Sequence, residues 1–494
     1  MKIALSSAAV LGCATLASCG LAGGGSSVGA SAGDVAKAWE QPIPRATCGD
    51  ADRPEPALSG QIPLSERVSL RSAAGYTCNL ELVGQYQGEG AEIQHASFGD
   101  CSYYNQSSAY NRLGELRPTR GVAVVDVADS SSPQLTAILN TTAMLSPWES
   151  LKANTPRRLL AAMNGGVPSG GPELDVYDLS ADCRQPVLLS SAVLHDGSHL
   201  GHEGEFAPDG MTYWGSSTSD YFAIDMRNPA EPEYMLTWLP PETGTHGLSV
   251  SKDGSRTYFT QANAFGAMQG DANNGFVITD TSDVQARKPE AEVRIVGGYT
   301  WGDGGEAQHT IPVKIGGKPF LVHVDEFGSG GLGGHAAWTW ACANDLPPWG
   351  MVRLFDISDE TEPQLASKLM LDINDPANCP STLPDNAERL VFGYDSHYCA
   401  VDDPENTRIV ACAWFVSGLR VFDVSDPYHP KEFGYYIPPV APSLELGSGN
   451  NFSGLCESTD WILDQPRIRR DRNEIWFTSM CGGFQVVKFT KPLP

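Results

Sequence analysis

The sequence lacks the signatures of several large classes of protein. No apolar run is long enough to cross a bilayer as a helix, and the N-terminal run at 3–16 is also too short to do so as a stable anchor. No long segment repeats its apolar residues with the period of an amphipathic helix. No CxxC pair occurs, which argues against a cysteine-ligated zinc site. HExxH and the EF-hand loop are also absent, and GxSxG occurs only as GSSVG and GASAG within the glycine- and serine-rich stretch 25–33. No motif in a strand-to-helix context therefore indicates a serine hydrolase, and none indicates a zinc protease or a calcium sensor.

Basic residues are scarce as well. The chain has 33 Lys and Arg against 59 Asp and Glu, and its formal net charge is −26. Such a charge argues against nucleic acid, and against an anionic membrane surface, as direct partners. An acidic surface does not itself identify a partner, because it often serves only solubility.

Glycine and proline, by contrast, are plentiful. The chain has 52 Gly and 35 Pro, with 41% hydrophobic and 19% charged residues. This composition is that of a globular protein. It predicts many short strands joined by turns rather than long helices.

The N-terminus has the features of a targeting segment. The string LASC at 16–19 resembles the bacterial lipobox, in which the chain is cut before a cysteine that then carries a lipid. The resemblance implies a signal peptide over residues 1–18 and an acylated (palmitate-bearing) Cys19 as a membrane anchor. An ordinary secretory signal cleaved nearby is the alternative. Residues 19–45 would form a flexible tether, and the protein would lie in the cell envelope, outside the cytoplasm.

A strand, a polar turn with proline and a second strand recur six times. GVAVVDVADSSSPQL begins at residue 121, VRLFDISDETEPQL at 352 and GLRVFDVSDPYHPKEF at 418. Each first strand ends in an aspartate that we expect to hydrogen-bond the backbone of its own turn. These aspartates are Asp126, Asp178, Asp225, Asp280, Asp356 and Asp423.

The spacing of these aspartates predicts the architecture. Intervals of roughly fifty to seventy-five residues are typical of a β-propeller. Further hairpins such as APDGMTYW and SKDGSRTYF complete four strands per blade. We therefore predict an all-β, seven-bladed propeller over 79–494, with residues 79–87 pairing with 484–489 so that no sheet edge stays open. Residues 46–78 would form an N-terminal extension.

The phrases GLRVFDVSDP and VRLFDISDETEP closely resemble the LVIVD repeat. The resemblance covers roughly residues 79–490. It is weaker in the fourth copy, where TDTSDVQARKPE lengthens the turn, and in the last, where Lys488 takes the place of the aspartate. It implies an exported propeller but no particular reaction, because a fold does not determine a function.

One polar residue recurs near the predicted start of the first strand in every blade. Innermost strands of a propeller run beside the central channel, so matching positions would form a ring at one level of that channel. Half of the ten histidines in the sequence occupy these positions. The predicted ring consists of His95, Glu149, His202, His246, His309, His397 and Glu457.

These residue types suit a metal ion. Neutral imidazole and carboxylate are ligands for iron, copper, manganese or zinc. Three or four of them would hold one ion and leave a position for water or substrate, with an affinity that falls as the pH drops through about 6. Two other interpretations stay open: the ring binds a polar ligand without a metal, or the histidines only hydrogen-bond neighbouring strands and waters.

Two classes of function follow. One is an extracytoplasmic binding or scaffold module that holds an unknown small molecule or protein on its loop face, including the glycine-rich insertion 328–348. The other is a metal-dependent oxidoreductase that uses the His/Glu ring. The sequence does not decide between them.

Ten cysteines follow Cys19, an even number that indicates disulfides in an exported protein. Neighbouring strands of blades 6 and 7 place two pairs within bridging distance. The two predicted bridges are Cys399–Cys412 and Cys456–Cys481. Further candidate pairs are Cys342–Cys379 and Cys101–Cys183.

Overall fold

The computed structural model describes residues 41–106, 120–165, 171–194, 201–217, 219–241, 244–264, 268, 274–387, 389, 391–441 and 458–494. The proposed signal peptide, Cys19 and most of the tether lie outside these ranges. Cys456 and Glu457 also lie outside them.

Seven antiparallel sheets form a seven-bladed β-propeller, which confirms the predicted fold class. The N-terminal strands are β1 (Tyr76–Cys78) and β2 (Leu80–Tyr86). Blade 1 contains β3 (His95–Phe98), β4 (Cys101–Asn105), β5 (Val122–Asp126) and β6 (Gln134–Leu139). Blade 2 contains β7 (Lys152–Asn154), β8 (Leu159–Met163), β9 (Leu174–Asp178) and β10 (Val187–Ala192). Blade 3 contains β11 (Gly204–Phe206), β12 (Thr212–Ser216), β13 (Tyr221–Asp225) and β14 (Glu233–Trp238).

The remaining blades repeat this arrangement. Blade 4 contains β15 (Leu248–Val250), β16 (Arg256–Gln261), β17 (Asn274–Asp280) and β18 (Arg294–Trp301). Blade 5 contains β19 (Gly305–Ile315), β20 (Lys318–Phe327), β21 (Val352–Asp356) and β22 (Gln364–Leu369). Blade 6 contains β23 (Cys399–Val401), β24 (Ile409–Trp414), β25 (Gly418–Asp423) and β26 (Lys431–Ile437). Blade 7 contains β27 (Arg467–Arg469), β28 (Glu474–Ser479) and β29 (Gly483–Phe489).

The helices are short and lie in the connections. The α-helices are α1 (Leu64–Val68), α2 (Thr142–Leu145), α3 (Ser282–Gln285), α4 (Gly334–Ala343) and α5 (Cys379–Thr382). Single 3-10 turns cover Arg71–Ala74, Asp372–Asn374, Pro376–Asn378 and Leu383–Asn386. No helix in the described ranges combines the length and apolar character needed to cross a bilayer.

An N-terminal strand closes the ring, as expected for residues 79–87. Strand β2 pairs antiparallel with β29, with Leu80 opposite Phe489 and Tyr86 opposite Phe484. The first strands of neighbouring blades contact one another, for example β11 with β15 and β15 with β19. These strands therefore surround the channel of the propeller, and residues just before them lie at one end of it.

The N-terminal extension is built into blade 6, which the sequence did not indicate. Strand β1 pairs with β26 as a fifth strand of this sheet. A disulfide joins Cys48 to Cys78. The fully buried Arg420 binds Glu55 of the extension and Glu432 of the blade, at 2.6 Å and 2.9 Å. Because a buried guanidinium needs carboxylate partners, this contact ties the extension to the propeller.

The repeated aspartates have the role predicted for them. Each accepts a hydrogen bond from the backbone N–H two residues further on, and the six acceptors are Asp126, Asp178, Asp225, Asp280, Asp356 and Asp423. The repeated aspartates therefore stabilise turns rather than take part in catalysis.

The disulfide predictions are confirmed wherever the described residues test them. Cys399 pairs with Cys412 across β23 and β24, and the pairs Cys342–Cys379 and Cys101–Cys183 also form. Cys481 is disulfide-bonded, and its predicted partner Cys456 lies outside the described residues. The bridge between Cys48 and Cys78 was not predicted.

Candidate metal centre

In every blade, a residue at or shortly before the first strand lines a cavity of about 200 Å³ at one end of the channel. In chain order these residues are Ile93, Glu149, His202, His246, Glu306, His397 and Leu463. A ring at one level therefore exists, and it is partly different from the ring that the sequence predicts.

Four of the seven predicted site residues meet in this ring. Glu149 precedes β7, His202 precedes β11, His246 precedes β15 and His397 precedes β23, each by two or three residues. Because successive first strands run in the same direction round the channel, this shared offset brings the four side chains to the same end. Glu149, His246 and His397 are buried, and the side chain of His202 is 27% exposed.

Glu149, His202 and His246 form a compact triangle of ligand atoms. The Nε2 atoms of the two histidines are 2.9 Å apart. Oε2 of Glu149 lies 3.3 Å from Nε2 of His202 and 3.2 Å from Nε2 of His246. Atoms bound about 2.0–2.2 Å from one ion are separated from one another by roughly 3 Å in tetrahedral or octahedral geometry. The spacing therefore suits three ligands of a single metal ion.

His397 approaches Glu149 from outside this triangle, at the second carboxylate oxygen. Its Nδ1 contacts the carbonyl of Leu463, so in the neutral tautomer Nδ1 carries the hydrogen and Nε2 has a free lone pair. Nε2 then faces two carboxylate oxygens, Oε1 of Glu149 at 3.2 Å and Oε1 of Glu326 at 3.4 Å. Three acceptors that converge in this way require a cation between them, either a proton or a metal ion.

The charges of the cluster agree with this geometry. Burial alone would raise the pKa of Glu149, but the imidazoles of His202 and His246 hold it well below its usual range. Burial opposes protonation of His246 as well, yet the Glu149 carboxylate raises the pKa of His246 to about 9. Against the same effect of burial, Glu149 and Glu326 raise the pKa of His397 to about 10. At neutral pH the metal-free cluster therefore holds protons where a metal ion would sit.

Glu306 and Glu326 surround the cluster with further negative charge. Oε1 of Glu306 lies 3.6 Å from Nδ1 of His246. Burial, followed by repulsion from Glu326 and Glu149 against the attraction of His246, raises the pKa of Glu306. Among the described residues, the carboxyl groups at this point outnumber the cationic side chains. A divalent cation would correct that imbalance.

His95 and His309, predicted members of the ring, bind other partners. His95 is the first residue of β3, and its ring contacts Ser102 at 2.9 Å and Asp464 at 3.2 Å. His309 lies within β19, with Nδ1 2.9 Å from Glu203. Both are buried in the strands, further along the channel than the triangle. Glu457, the seventh predicted member, lies outside the described residues.

His95 and His309 lie away from the cavity because, in their blades, the position that lines it comes two or three residues earlier in the chain. In blade 1 the residue that lines the cavity is Ile93, two positions before His95, and in blade 5 it is Glu306, three positions before His309. A bulge between Ala307 and His309 interrupts the pairing of β19 with β20. The sequence alignment by histidines therefore missed Glu306. Counting back from the blade 5 hairpin, rather than matching residue types, would have found it.

A second buried polar cluster lies beside the first. Nζ of Lys152 is 3.4 Å from the same Glu203 oxygen that His309 binds. Gln308 links the two clusters by donating from Nε2 to Oε2 of Glu149 at 3.0 Å. This hydrogen bond orients the carboxylate toward the histidines, as outer partners of metal ligands commonly do.

The other walls of the cavity are mainly apolar. Trp148, Phe327, Phe392, Phe415 and Leu332 line it together with smaller apolar groups. The rings of Phe327 and Phe392 stack at 5.2 Å, and those of Phe392 and Phe415 at 4.5 Å. Leu332 belongs to the glycine-rich insertion and is 40% exposed. The cavity thus has a polar, charged floor and an aromatic wall.

Backbone strain is concentrated around this cavity. Of ten non-glycine residues with left-handed φ in the described ranges, four line it: Trp148 (48°), Glu306 (53°), Phe392 (56°) and Phe415 (26°). Bulky side chains rarely adopt positive φ. Each such residue costs on the order of 1–3 kcal/mol, and strain of this kind clusters at functional sites.

Comparison with known proteins adds little to this description. No family model matches the chain, and no curated protein matches it. Among solved structures the chain is similar to hydrazine synthase of Kuenenia stuttgartiensis, with 11% sequence identity and a TM-score of 0.48. The similarity covers 83% of this chain and 97% of the other.

Proposed function

We propose that this protein is an extracytoplasmic propeller of the LVIVD-repeat type that binds one transition metal ion at the end of its channel. Glu149, His202 and His246 would hold the ion, and His397 would contact the second oxygen of Glu149, at 3.2 Å. The observation that carries the proposal is the triangle of ligand atoms, whose sides are 2.9, 3.2 and 3.3 Å. Imidazole and carboxylate donors suit iron, copper, manganese or zinc.

The cavity beside the triangle supports a role in ligand binding. Glu149, His202 and His246 all line it, so a ligand inside it would contact the metal ion from the side of the cavity. The glycine-rich insertion contributes Leu332 to the cavity wall and is fastened by the disulfide between Cys342 and Cys379. The insertion therefore fits the role of a binding loop.

A metal-dependent oxidoreductase is the second candidate. The open position beside the nitrogen and oxygen donors favours it over a purely structural metal, because structural sites are closed by protein ligands. Reconstitution with iron or copper, followed by electron paramagnetic resonance during reversible reduction, tests this candidate. A site that accepts only zinc, or whose iron or copper cannot be reduced reversibly, would contradict it.

The proposed location rests on the N-terminal sequence. Disulfides support an oxidising compartment. Acylated Cys19 would then anchor the propeller to a lipid membrane through the tether. Mass spectrometry of the mature N-terminus tests this: a diacylglycerol-bearing cysteine at position 19 is expected, and Cys19→Ser should release the protein from membranes. An unmodified N-terminus would contradict it.

Metal analysis of the purified mature protein tests the main proposal. One equivalent of metal per chain is expected, and Glu149→Gln should reduce that content. His429 provides a control, because its side chain is 81% exposed and its ion-pair partner among the described residues is the nearby Asp426. His429→Ala should leave metal content unchanged.

A further inference from the structure

The size of the cavity limits what can enter it. Its volume is about 200 Å³, and an apolar cavity of roughly 150 Å³ in another protein is large enough for benzene. A molecule with one ring and one or two small substituents therefore fills the space.

The aromatic wall favours a flat ring. Phe327, Phe392 and Phe415 form a continuous stack with interplanar angles of 9° and 17°. Aromatic rings pack on one another in offset or edge-on arrangements that gain more than their area alone. The strained φ of Phe392 and Phe415 indicates that the fold holds these rings in place despite an unfavourable backbone.

The floor limits the charge of the occupant. Glu149, Glu306 and Glu326 line the cavity, and three carboxyl groups outnumber the two charges of one divalent ion, so an added carboxylate would meet excess negative charge even in the metal-bound protein. A neutral hydroxyl can instead donate to a carboxylate or offer its oxygen to a metal ion. The chemistry of the floor thus selects a neutral polar end.

We propose that the cavity binds a small, neutral, single-ring aromatic molecule of the phenol class, with its hydroxyl group toward Glu149, His202 and His246. This inference rests on the proposed function for the polar end, because the hydroxyl oxygen would take the open position beside the metal ligands. The other part of the inference, the binding of the aromatic ring, rests on the aromatic wall. Leu332, which is 40% exposed, covers the ring from the side of the insertion.

Titration with phenol tests the proposal, using mature protein whose metal content is measured in the same sample. Phenol should bind at least ten-fold more tightly than benzoate, which has the same ring and a negative charge. It should also bind more tightly than cyclohexanol, which has the hydroxyl group but no aromatic ring. Equal binding of benzoate would overturn the charge argument, and equal binding of cyclohexanol would overturn the aromatic one.

Two variants locate the binding. Phe392→Ala should weaken phenol binding at least ten-fold without changing metal content. Leu332→Arg places a bulky group at the cavity from an exposed position, so it should weaken binding without unfolding the chain. Leu239→Arg is its matched control, because Leu239 is 67% exposed and does not line the cavity. Unchanged binding in both Phe392→Ala and Leu332→Arg would overturn the proposal.

The same experiment separates this inference from the metal proposal. A protein that holds metal and does not bind phenol contradicts the inference alone. A protein that binds phenol at this cavity but holds no metal contradicts the proposed function, and supports the aromatic part of the inference.

Discussion

His202 and His246 belong to neighbouring blades, 44 residues apart in the chain, yet their Nε2 atoms lie 2.9 Å from each other. Each residue lies two positions before the first strand of its blade. Glu149, at the matching place in the preceding blade, approaches both nitrogens with one oxygen. The propeller thus converts a repeated strand position into a cluster of ligand atoms.

Replacement of His246 by alanine should remove the metal ion. The change deletes one corner of the triangle, and the remaining ligands no longer surround the ion. Metal content of the purified variant, measured by mass spectrometry, should fall from one equivalent to well below one tenth.

His309→Ala is the matched control for His246→Ala, because both histidines are buried and both contact a carboxylate. Loss of His309 leaves Glu203 with Lys152 as its remaining cation and should lower the free energy of unfolding by about 1–3 kcal/mol. Metal content should stay at one equivalent. A loss of metal in His309→Ala equal to that in His246→Ala would contradict the assignment of the ligands.

The affinity for the metal ion should change with pH in the alkaline rather than the acidic range. His246 has a pKa of about 9 and His397 of about 10 in the metal-free protein, against about 6.5 for an ordinary histidine. His246 must lose its proton before it binds metal, and a proton on His397 beside Glu149 repels the ion, so affinity should rise as pH increases from 7 toward 10. Chelator competition at several pH values measures this, and an affinity that is constant above pH 7 would contradict it.

The free energy of unfolding of the metal-free protein should fall as the pH increases, whereas metal affinity rises. A pKa raised in the folded state contributes stability that is complete below the unfolded value of about 6.5. That contribution is lost as the pH rises through 9 and 10. Denaturant unfolding of chelator-treated protein should show a lower free energy of unfolding at pH 10 than at pH 7. The double variant His246→Gln/His397→Gln should show a smaller decrease.

Glu306→Gly should stabilise the metal-free protein and weaken the site. Glu306 has a φ of 53°, which glycine adopts without strain. Its Oε2 is buried with no hydrogen-bond partner in the described ranges, so its removal also relieves a desolvation cost. A melting temperature above wild type, together with lower metal affinity, is expected. Glu306→Gln, which keeps the strain and removes the charge, should weaken metal binding with a smaller gain in stability.

The sequence predicts the fold well because the turn chemistry repeats. Aspartates such as Asp356 and Asp423 hydrogen-bond the backbone of their own turns. The residues by which the repeat is recognised in the sequence are therefore also the residues that stabilise its turns. Closure by β2 follows from the open edge that a three-stranded last blade would otherwise leave. The added strand β1 could not be predicted, because its three residues have no pattern of their own and depend on pairing with β26.

The site could be predicted only in part. His202, His246 and His397 share one offset from their strands, so matching by residue type found them. In blade 5 the long strand β19 and its bulge move the equivalent position to Glu306, and the match to His309 failed. Glu326, Phe392 and Phe415 reach the cavity from connections and from the ends of other strands. Their part in the site depends on tertiary packing, which no local pattern encodes.

Metal analysis of the mature protein, purified without chelators and compared before and after chelation, tests the central claim most directly. One equivalent of iron, copper, manganese or zinc per chain is expected. Chelation should remove it and lower the melting temperature, because an ion that binds only the folded state stabilises it. Restoring the metal should restore the melting temperature in wild type but not in Glu149→Gln. A metal-free protein whose melting temperature is unchanged by chelator and by added metal would contradict the claim.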